Sequence, residues 1–180
     1  LPTVKGNSSQ SVGAVADVAV LWESFGTNIK PKDGDLVSNI SYSNGVITFL
    51  TNNTFKEGNA VIAAKDKEGK ILWSWHIWFT DQPQGQEYYN NAGIMMDRNL
   101  GATTAVPGAT GSLGLLYQWG RKDPFLGSSS INSSNIASST IQWPAPETSD
   151  SYRGTINYSI YYPTTFINPN TNNDWCYSKD

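Results

Sequence analysis

Cysteine is almost absent from this chain of 180 residues, since Cys176 is the only one. A single thiol cannot form an intrachain disulfide, and it cannot supply the ligands of a cysteine-based zinc site. A hydrophobic core must therefore hold the fold together, and a chain of this length is long enough to bury one.

Charge and long apolar runs are also scarce. Charged residues make up 15% of the chain, the net charge is −3, and the lysines and arginines are scattered. No basic patch attracts a phosphate backbone, so no nucleic-acid partner is expected. No apolar run approaches the roughly 20 residues of a membrane helix. The first ten residues lack both the basic and the apolar part of a signal peptide, so we expect any exported form to be a processed one.

The residues that are abundant favour strands over helices. Asparagine, serine, threonine and glycine exceed a third of the chain, an uncharged polar composition that suits extracellular β proteins. Alternating apolar residues and turn signals predict strands over residues 14–23, 36–42, 46–51, 59–65 and 70–80. This spacing predicts a mainly β fold with an immunoglobulin-like or related two-sheet β-sandwich over roughly residues 12–82.

The last of these strands carries an unusual number of tryptophans. One face of it is wholly apolar and is predicted to lie in the core; it comprises Ile71, Trp73, Trp75, Ile77 and Phe79. The opposite face is half polar and includes the only histidine, His76, which we expect to be half-exposed. Burial of the apolar face would stabilise the fold by about 1.5–3 kcal/mol for each large side chain.

A change of composition follows this strand. Residues 81–86 are rich in proline, glycine and glutamine, which predicts a solvated linker. We therefore predict a β-sandwich domain over residues 1–82, with the first eleven or so residues extended, a linker at 83–86 and a loop-rich second domain over 87–180. Within the second domain, residues 126–140 are too polar to form a core of their own and are predicted to be a surface loop.

Three segments in fixed order carry a resemblance to a known family. They are WSWHIWFTD at 73–81, MDRNLGA at 96–102 and LLYQWGRKDPF at 115–125. Together they resemble surface proteins of gut-type Bacteroidetes bacteria, in which a fimbrillin-like β-sandwich precedes a domain of the Fibrobacter major paralogous type. The second domain is similar to the opening of C-type-lectin-like and sulfatase-modifying-factor-like α+β folds. The resemblance implies export, a cell-surface or outer-membrane location, and a role in adhesion or fimbria assembly.

The resemblance also sets two expectations for the ends of the chain. Family members continue beyond a Trp-Cys region, whereas this sequence stops soon after Trp175 and Cys176, so the lectin-like domain is expected to be partial, truncated at its C-terminus. A fimbrial context implies strand exchange with neighbouring subunits. The predicted donors are the N-terminal strand and the segment after Thr165.

The MDRNLGA segment places Asp97, Arg98 and Asn99 in a row. Successive side chains of an extended segment alternate in direction, so Arg98 is expected to point away from its neighbours. We interpret the group as structural. Asn99 would fix a loop through hydrogen bonds to the backbone, and Asp97 would pair with a basic residue such as Arg121.

The second motif contains Trp119, Gly120, Arg121 and Asp123. Gly120 permits a sharp bend beneath Trp119, and Asp-Pro favours a turn. We predict a structural role here as well, with the Arg121/Asp123 pair bridging the turn.

No catalytic arrangement emerges, so we predict that the protein is not an enzyme and uses no cofactor. His76 has no GxSxG serine to accompany it, and no spacing singles out a carboxylate pair. The resemblance to sulfatase-modifying-factor-like folds also suggests formylglycine-generating chemistry. In that family the chemistry relies on cysteine thiols, and Cys176 alone is a poor substitute for them. The oxygen-rich stretch at 168–175 holds one carboxylate, so we interpret it as an asparagine-rich turn in preference to a calcium site.

Exposed aromatics beside amides suit carbohydrate, because sugar faces stack on rings. The best candidates by context are Trp143, Tyr161, Tyr162 and Trp175, with core packing as the alternative for each. The leading hypothesis is a non-enzymatic, exported surface protein whose partners are other surface or fimbrial subunits. The alternative is a glycan-binding module of a polysaccharide-capture system.

Overall fold

A computed structural model of the chain describes residues 1–170 and 173–177. The predicted mainly β, loop-rich class is confirmed, with 31% of residues in strands and 7% in helices. Five strands form the first half in the predicted places. Their bounds are β1 (Asp17–Ser24), β2 (Ser38–Ser43), β3 (Val46–Leu50), β4 (Gly58–Lys65) and β5 (Ile71–Phe79).

These strands form one antiparallel sheet, in the order β1-β4-β5, and a separate β2-β3 hairpin. The hairpin turns at Asn44 and Gly45, whose φ angles of 51° and 78° are the positive values that a tight turn requires. The turn between β4 and β5 is fixed by the Asp66 side chain, which accepts hydrogen bonds from the amides of Glu68 and Lys70 at 3.0 and 2.8 Å. Both turns lie where the sequence predicted them.

The hairpin covers one face of the three-stranded sheet and makes the first core. Ala60, Ile62 and Ala64 of β4 are buried there against Leu36 and Ile47. Four residues of the predicted apolar face of β5 are partly buried against the same cluster: Trp73, Trp75, Ile77 and Phe79. The face prediction for these four is confirmed, while the assignment to an immunoglobulin-like sandwich stays a prediction.

The other face of the sheet is covered by the second half of the chain. Val61 of β4 and Trp22 of β1 are buried together with Leu115, Leu126 and Ala137. Strand β4 is therefore buried on both faces. The sequence predicted a core for the sandwich but did not predict this second cluster. The predicted boundary near residue 82 stays a prediction.

The second half consists mostly of short paired segments. Its described residues include one α-helix, Ile156–Tyr161, which is capped by Thr155, whose side chain accepts a hydrogen bond from the amide of Tyr158. The sequence showed no helical periodicity for it, because so short a helix lacks a repeating apolar face. The remaining elements are β6 (Gly85–Glu87), β7 (Ile94–Met96), β8 (Leu116–Tyr117), β9 (Pro124–Phe125), β10 (Glu147–Thr148), α1 (Ile156–Tyr161) and β11 (Ile167–Asn168).

Two features differ from the expected linker and loop. Gly85 and Gln86, at the end of the predicted linker, belong to β6, which pairs with β7, because strand pairing uses backbone groups that glycine also has. The linker between two domains stays a prediction. The polar run at 126–140 has its C-terminal end bound to β1. The amide of Thr140 donates to the carbonyl of Glu23 at 3.0 Å, and Ser24 Oγ donates to the carbonyl of Ser138 at 2.6 Å.

Both predicted strand donors are paired within their own chain. The amide of Thr3 donates to the carbonyl of Gly45, and the amide of Ile47 donates to the carbonyl of Leu1, at 3.0 and 2.8 Å. The segment after Thr165 forms β11, which runs parallel to β10. No helix within the described residues is long and apolar enough to cross a membrane.

Candidate functional site

A tight turn joins β8 to β9 and presents Trp119 to solvent. The amide of Arg121 donates to the carbonyl of Gln118 at 2.9 Å, and Gly120 has a φ of 77°. This positive φ confirms the predicted bend at glycine. The Trp119 side chain at the tip is 91% exposed, so it contributes little to the core of the described structure.

Arg121 anchors this turn to the C-terminal segment. Its Nη1 donates to Gln118 Oε1 at 2.7 Å and to the carbonyl of Thr165 at 2.8 Å, and its Nη2 donates to the carbonyl of Tyr162 at 3.2 Å. Burial lowers the pKa of Arg121 to about 10, so the guanidinium stays charged at neutral pH. The predicted pairing of Arg121 with Asp97 or Asp123 is wrong, because the guanidinium turns toward backbone carbonyls.

Asp123 is paired with Lys122 and not with Arg121. Its two carboxylate oxygens each lie 2.8 Å from Lys122 Nζ, and Ser74 Oγ donates to Oδ1 at 2.6 Å. Ser74 lies on the half-polar face of β5 and is buried. The network therefore fastens the turn to the three-stranded sheet.

Gln118 and Trp175 hold the turn from the other side. The Gln118 amide group exchanges two hydrogen bonds with the backbone of Ile167, at 2.7 and 3.0 Å. Trp175 is buried, and its Nε1 donates to the carbonyl of Trp119 at 2.6 Å. The backbone that carries the exposed indole is thus held on both sides.

A groove of about 390 Å³ runs beside the exposed indole. A second, apolar cleft of about 350 Å³ adjoins it and shares Leu116 and Phe166 with it. The groove is lined by Leu116, Tyr117, Gln118, Trp119, Phe166, Pro169, Asn173, Asp174 and Trp175. Aromatic rings, amides and a carboxylate therefore meet at one concave surface.

The four aromatics predicted to bind ligand are not brought together. Trp175 lines the groove, whereas Trp143 lines the adjoining cleft and packs 5.6 Å from the ring of Trp22. Tyr162 stacks on Tyr158 at 4.4 Å. Tyr161 lies beneath the ammonium group of Lys70, 3.6 Å from the ring centre.

Sequence reasoning missed Trp119 as a ligand-binding candidate and gave it a structural role. The available signal was its place beside Gly120 in a turn, where a large ring has few neighbours to pack against. For Asn173 and Asp174 the sequence pattern indicates an asparagine-rich turn or calcium ligands, and neither interpretation points to a groove. Two residues of the stretch considered for calcium, Thr171 and Asn172, lie outside the described residues. Among the described residues, no group of three or more metal-ligating side chains occurs.

The MDRNLGA residues form a separate cluster around a buried guanidinium. Arg98 Nε donates to Asp97 Oδ1 at 2.8 Å, and Arg98 also pairs with Asp81. The two carboxylates raise the pKa of Arg98, which in turn lowers the pKa of both aspartates. The expectation that Arg98 points away is wrong, because the chain leaves the extended conformation after Met96. Asn99 Nδ2 bonds the carbonyl of Ser112 at 3.2 Å, which confirms its loop-fixing role.

His76 lies between the two halves of the chain and is partly buried. Its Nε2 lies 2.8 Å from Asn59 Oδ1, and its Nδ1 lies 3.3 Å from the hydroxyl of Tyr117. Burial lowers the pKa of His76 from 6.5 to about 4, and burial together with the Asp123 carboxylate raises the pKa of Tyr117 to about 12. Both side chains are therefore neutral at physiological pH.

The free energy of unfolding is expected to fall as the pH drops from 6.5 to 4. In this window His76 is neutral in the folded chain and protonated in the unfolded chain, so protons favour unfolding, by up to about 3 kcal/mol. Aspartates with lowered pKa values, such as Asp35 and Asp81, contribute stability that is lost only around and below their ordinary 3.8.

Denaturant unfolding at a series of pH values measures this slope. The matched control is His76→Gln, which keeps a hydrogen-bonding group opposite Asn59 and cannot be protonated. Its stability should change little between pH 6.5 and 4.5. Equal slopes for the two proteins would show that His76 is not the responsible group.

Comparison of the chain with protein-family models, with curated proteins and with solved structures finds no match. The groove and its residues are therefore the basis for assigning a function.

Proposed function

We propose that the chain is a non-catalytic binding module of an exported surface protein, and that it serves adhesion by holding a glycan in the groove beside Trp119. The observation that carries the proposal is the 91% exposed indole on a turn braced from two sides. A sugar face that covers one side of the ring would remove roughly 100 Å² from water, worth about 2–3 kcal/mol.

Polar groups for sugar hydroxyls border the same groove. Asp174 Oδ1 accepts a hydrogen bond from the amide of Cys176 at 3.1 Å, while no described residue bonds Asp174 Oδ2 or the side chain of Asn173. A carboxylate oxygen and an amide with no partner among the described residues thus lie beside the rings of Trp119 and Trp175. Because the turn is fixed before a ligand arrives, little conformational entropy is lost on binding.

Adhesion through a ligand fits the chain better than assembly by strand donation. The N-terminal candidate is bonded to β3, and the segment after Thr165 is bonded to β10. A donated strand would first have to leave these partners. The groove, in contrast, is open to solvent as it stands.

A glycan array followed by calorimetry tests the proposal. We expect saturable binding to at least one glycan and a loss of about 30-fold in affinity in Trp119→Ala, which corresponds to about 2 kcal/mol. Trp119→Phe should keep part of the affinity, since a smaller ring still stacks.

The matched control is Phe55→Ala. Phe55 is also exposed, at 63%, but it lies between β3 and β4 and does not line the groove. Its removal should leave glycan affinity unchanged. The proposal fails if no glycan binds, if Trp119→Ala binds normally, or if both variants lose binding equally.

A further inference from the structure

The β6-β7 hairpin carries a concentration of exposed apolar side chains. Ile94 and Met95 are 73% and 60% exposed, and Met96, Tyr88 and Leu100 are exposed beside them. A two-stranded hairpin alone is marginally stable in water, and monomers rarely expose an apolar patch of more than a few hundred Å². We therefore expect another molecule to cover this apolar surface.

The outer edge of β7 has backbone groups to offer that partner. The amide of Asp97 donates to the carbonyl of Gln84 and the amide of Tyr88 to the carbonyl of Gly93, at 2.9 and 3.0 Å. Hydrogen-bonded pairs alternate along an antiparallel ladder, so Ile94 and Met96 direct their N–H and C=O groups away from β6. No described residue bonds these outward groups.

A groove of about 520 Å³ lies along this edge. It is lined by Tyr88, Met95 and Met96 of the hairpin and by Leu100, which follows it in the chain. At its base the guanidinium of Arg98 is paired with the carboxylates of Asp97 and Asp81. An uncharged apolar strand can therefore approach this edge without meeting an unpaired charge.

We propose that this edge pairs with the same edge of a second copy of the chain, related by a two-fold axis through Met95. In this register Ile94 of one copy lies opposite Met96 of the other, and the outward N–H and C=O groups of both residues are satisfied. An isologous contact brings like surfaces together, which the neutral β7 strand permits. The inference does not depend on the proposed glycan binding.

The exposed area agrees with a dimer interface. With about 150–250 Å² for a large side chain, the exposed portions of the apolar residues amount to on the order of 700 Å². A stable interface of standard size buries about 800 Å² on each partner. The residues summed are Tyr88, Tyr89, Ile94, Met95, Met96 and Leu100.

Light scattering during size exclusion, over about 1–200 μM protein, tests the pairing. We expect the wild type to reach twice the chain mass and Met96→Pro to remain monomeric, because proline removes an outward N–H without touching the β6 ladder. The matched control is Glu87→Pro, which removes an outward N–H on the opposite edge of the same hairpin and should still dimerise.

Crosslinking tests the register independently of proline strain. A non-hydrogen-bonded antiparallel pair has its Cα atoms about 4.5 Å apart, within the range of a disulfide. In a Cys176→Ser background, Met95→Cys should form an interchain disulfide under mild oxidation, while Glu87→Cys should not. A monomeric wild type at 200 μM, a dimer that survives Met96→Pro, or equal crosslinking at both positions would overturn the inference.

Discussion

Replacing Glu23 with alanine is expected to lower the free energy of unfolding by about 3–6 kcal/mol. The Glu23 carboxylate is buried at the end of β1 and accepts hydrogen bonds from the amides of Leu36 and Val37, at 2.8 and 2.6 Å, and of Gly34 at 2.7 Å. Each amide left unpaired costs about 1–3 kcal/mol. Leu36 and Val37 are themselves buried, so water cannot easily replace the carboxylate.

Denaturant unfolding of purified variants measures this effect. Glu23→Gln should lose less than Glu23→Ala, since the amide oxygen still accepts from the segment that enters β2. The control is Glu57→Ala, at an exposed glutamate close to β4, for which the change should stay within about 0.5 kcal/mol. A loss below 1 kcal/mol for Glu23→Ala would show that the three amides find other partners.

The strands of the first half could be predicted because their signals are local. Alternation of apolar residues and the Asn44-Gly45 turn depend on neighbours in the sequence, and they placed the first five strands within a few residues. The role of Glu23 could not be predicted in this way, because it depends on amides that approach only in the folded chain. The available hint was an acidic residue that ends an apolar strand shortly before a Gly-Asp turn.

The second half was predicted less well because its interactions are long-range. Gly120 and Asn99 were interpreted correctly, since a bend and a loop bond are nearly local features. The partners of Asp97, Arg121 and Asp123 were predicted wrongly. Which of two adjacent basic residues pairs with a carboxylate depends on the direction in which the folded chain orients each side chain. Composition likewise could not separate the exposed Trp119 from the buried Trp175, as both are tryptophans in polar surroundings.

Removal of the Asp123 carboxylate is expected to weaken the attachment of the turn to the sheet. In Asp123→Ala the ammonium group of Lys122, held against Ser74 and 4.6 Å from the ring centre of Trp73, would lose its counter-charge. Stranding one member of a buried pair costs about 3–5 kcal/mol. Because the Lys122 side chain is 25% exposed, we expect about 2–4 kcal/mol of lost stability.

A double variant separates loss of the charge from loss of packing. Replacing both partners, as Lys122→Met with Asp123→Leu, removes the stranded charge and should recover part of the stability lost in Asp123→Ala. Denaturant unfolding provides the comparison, and a double variant no more stable than Asp123→Ala would contradict the charge argument. Glycan affinity should fall in Asp123→Ala without any change to the Trp119 ring, because the turn that positions the ring would lose one of its bonds to β5.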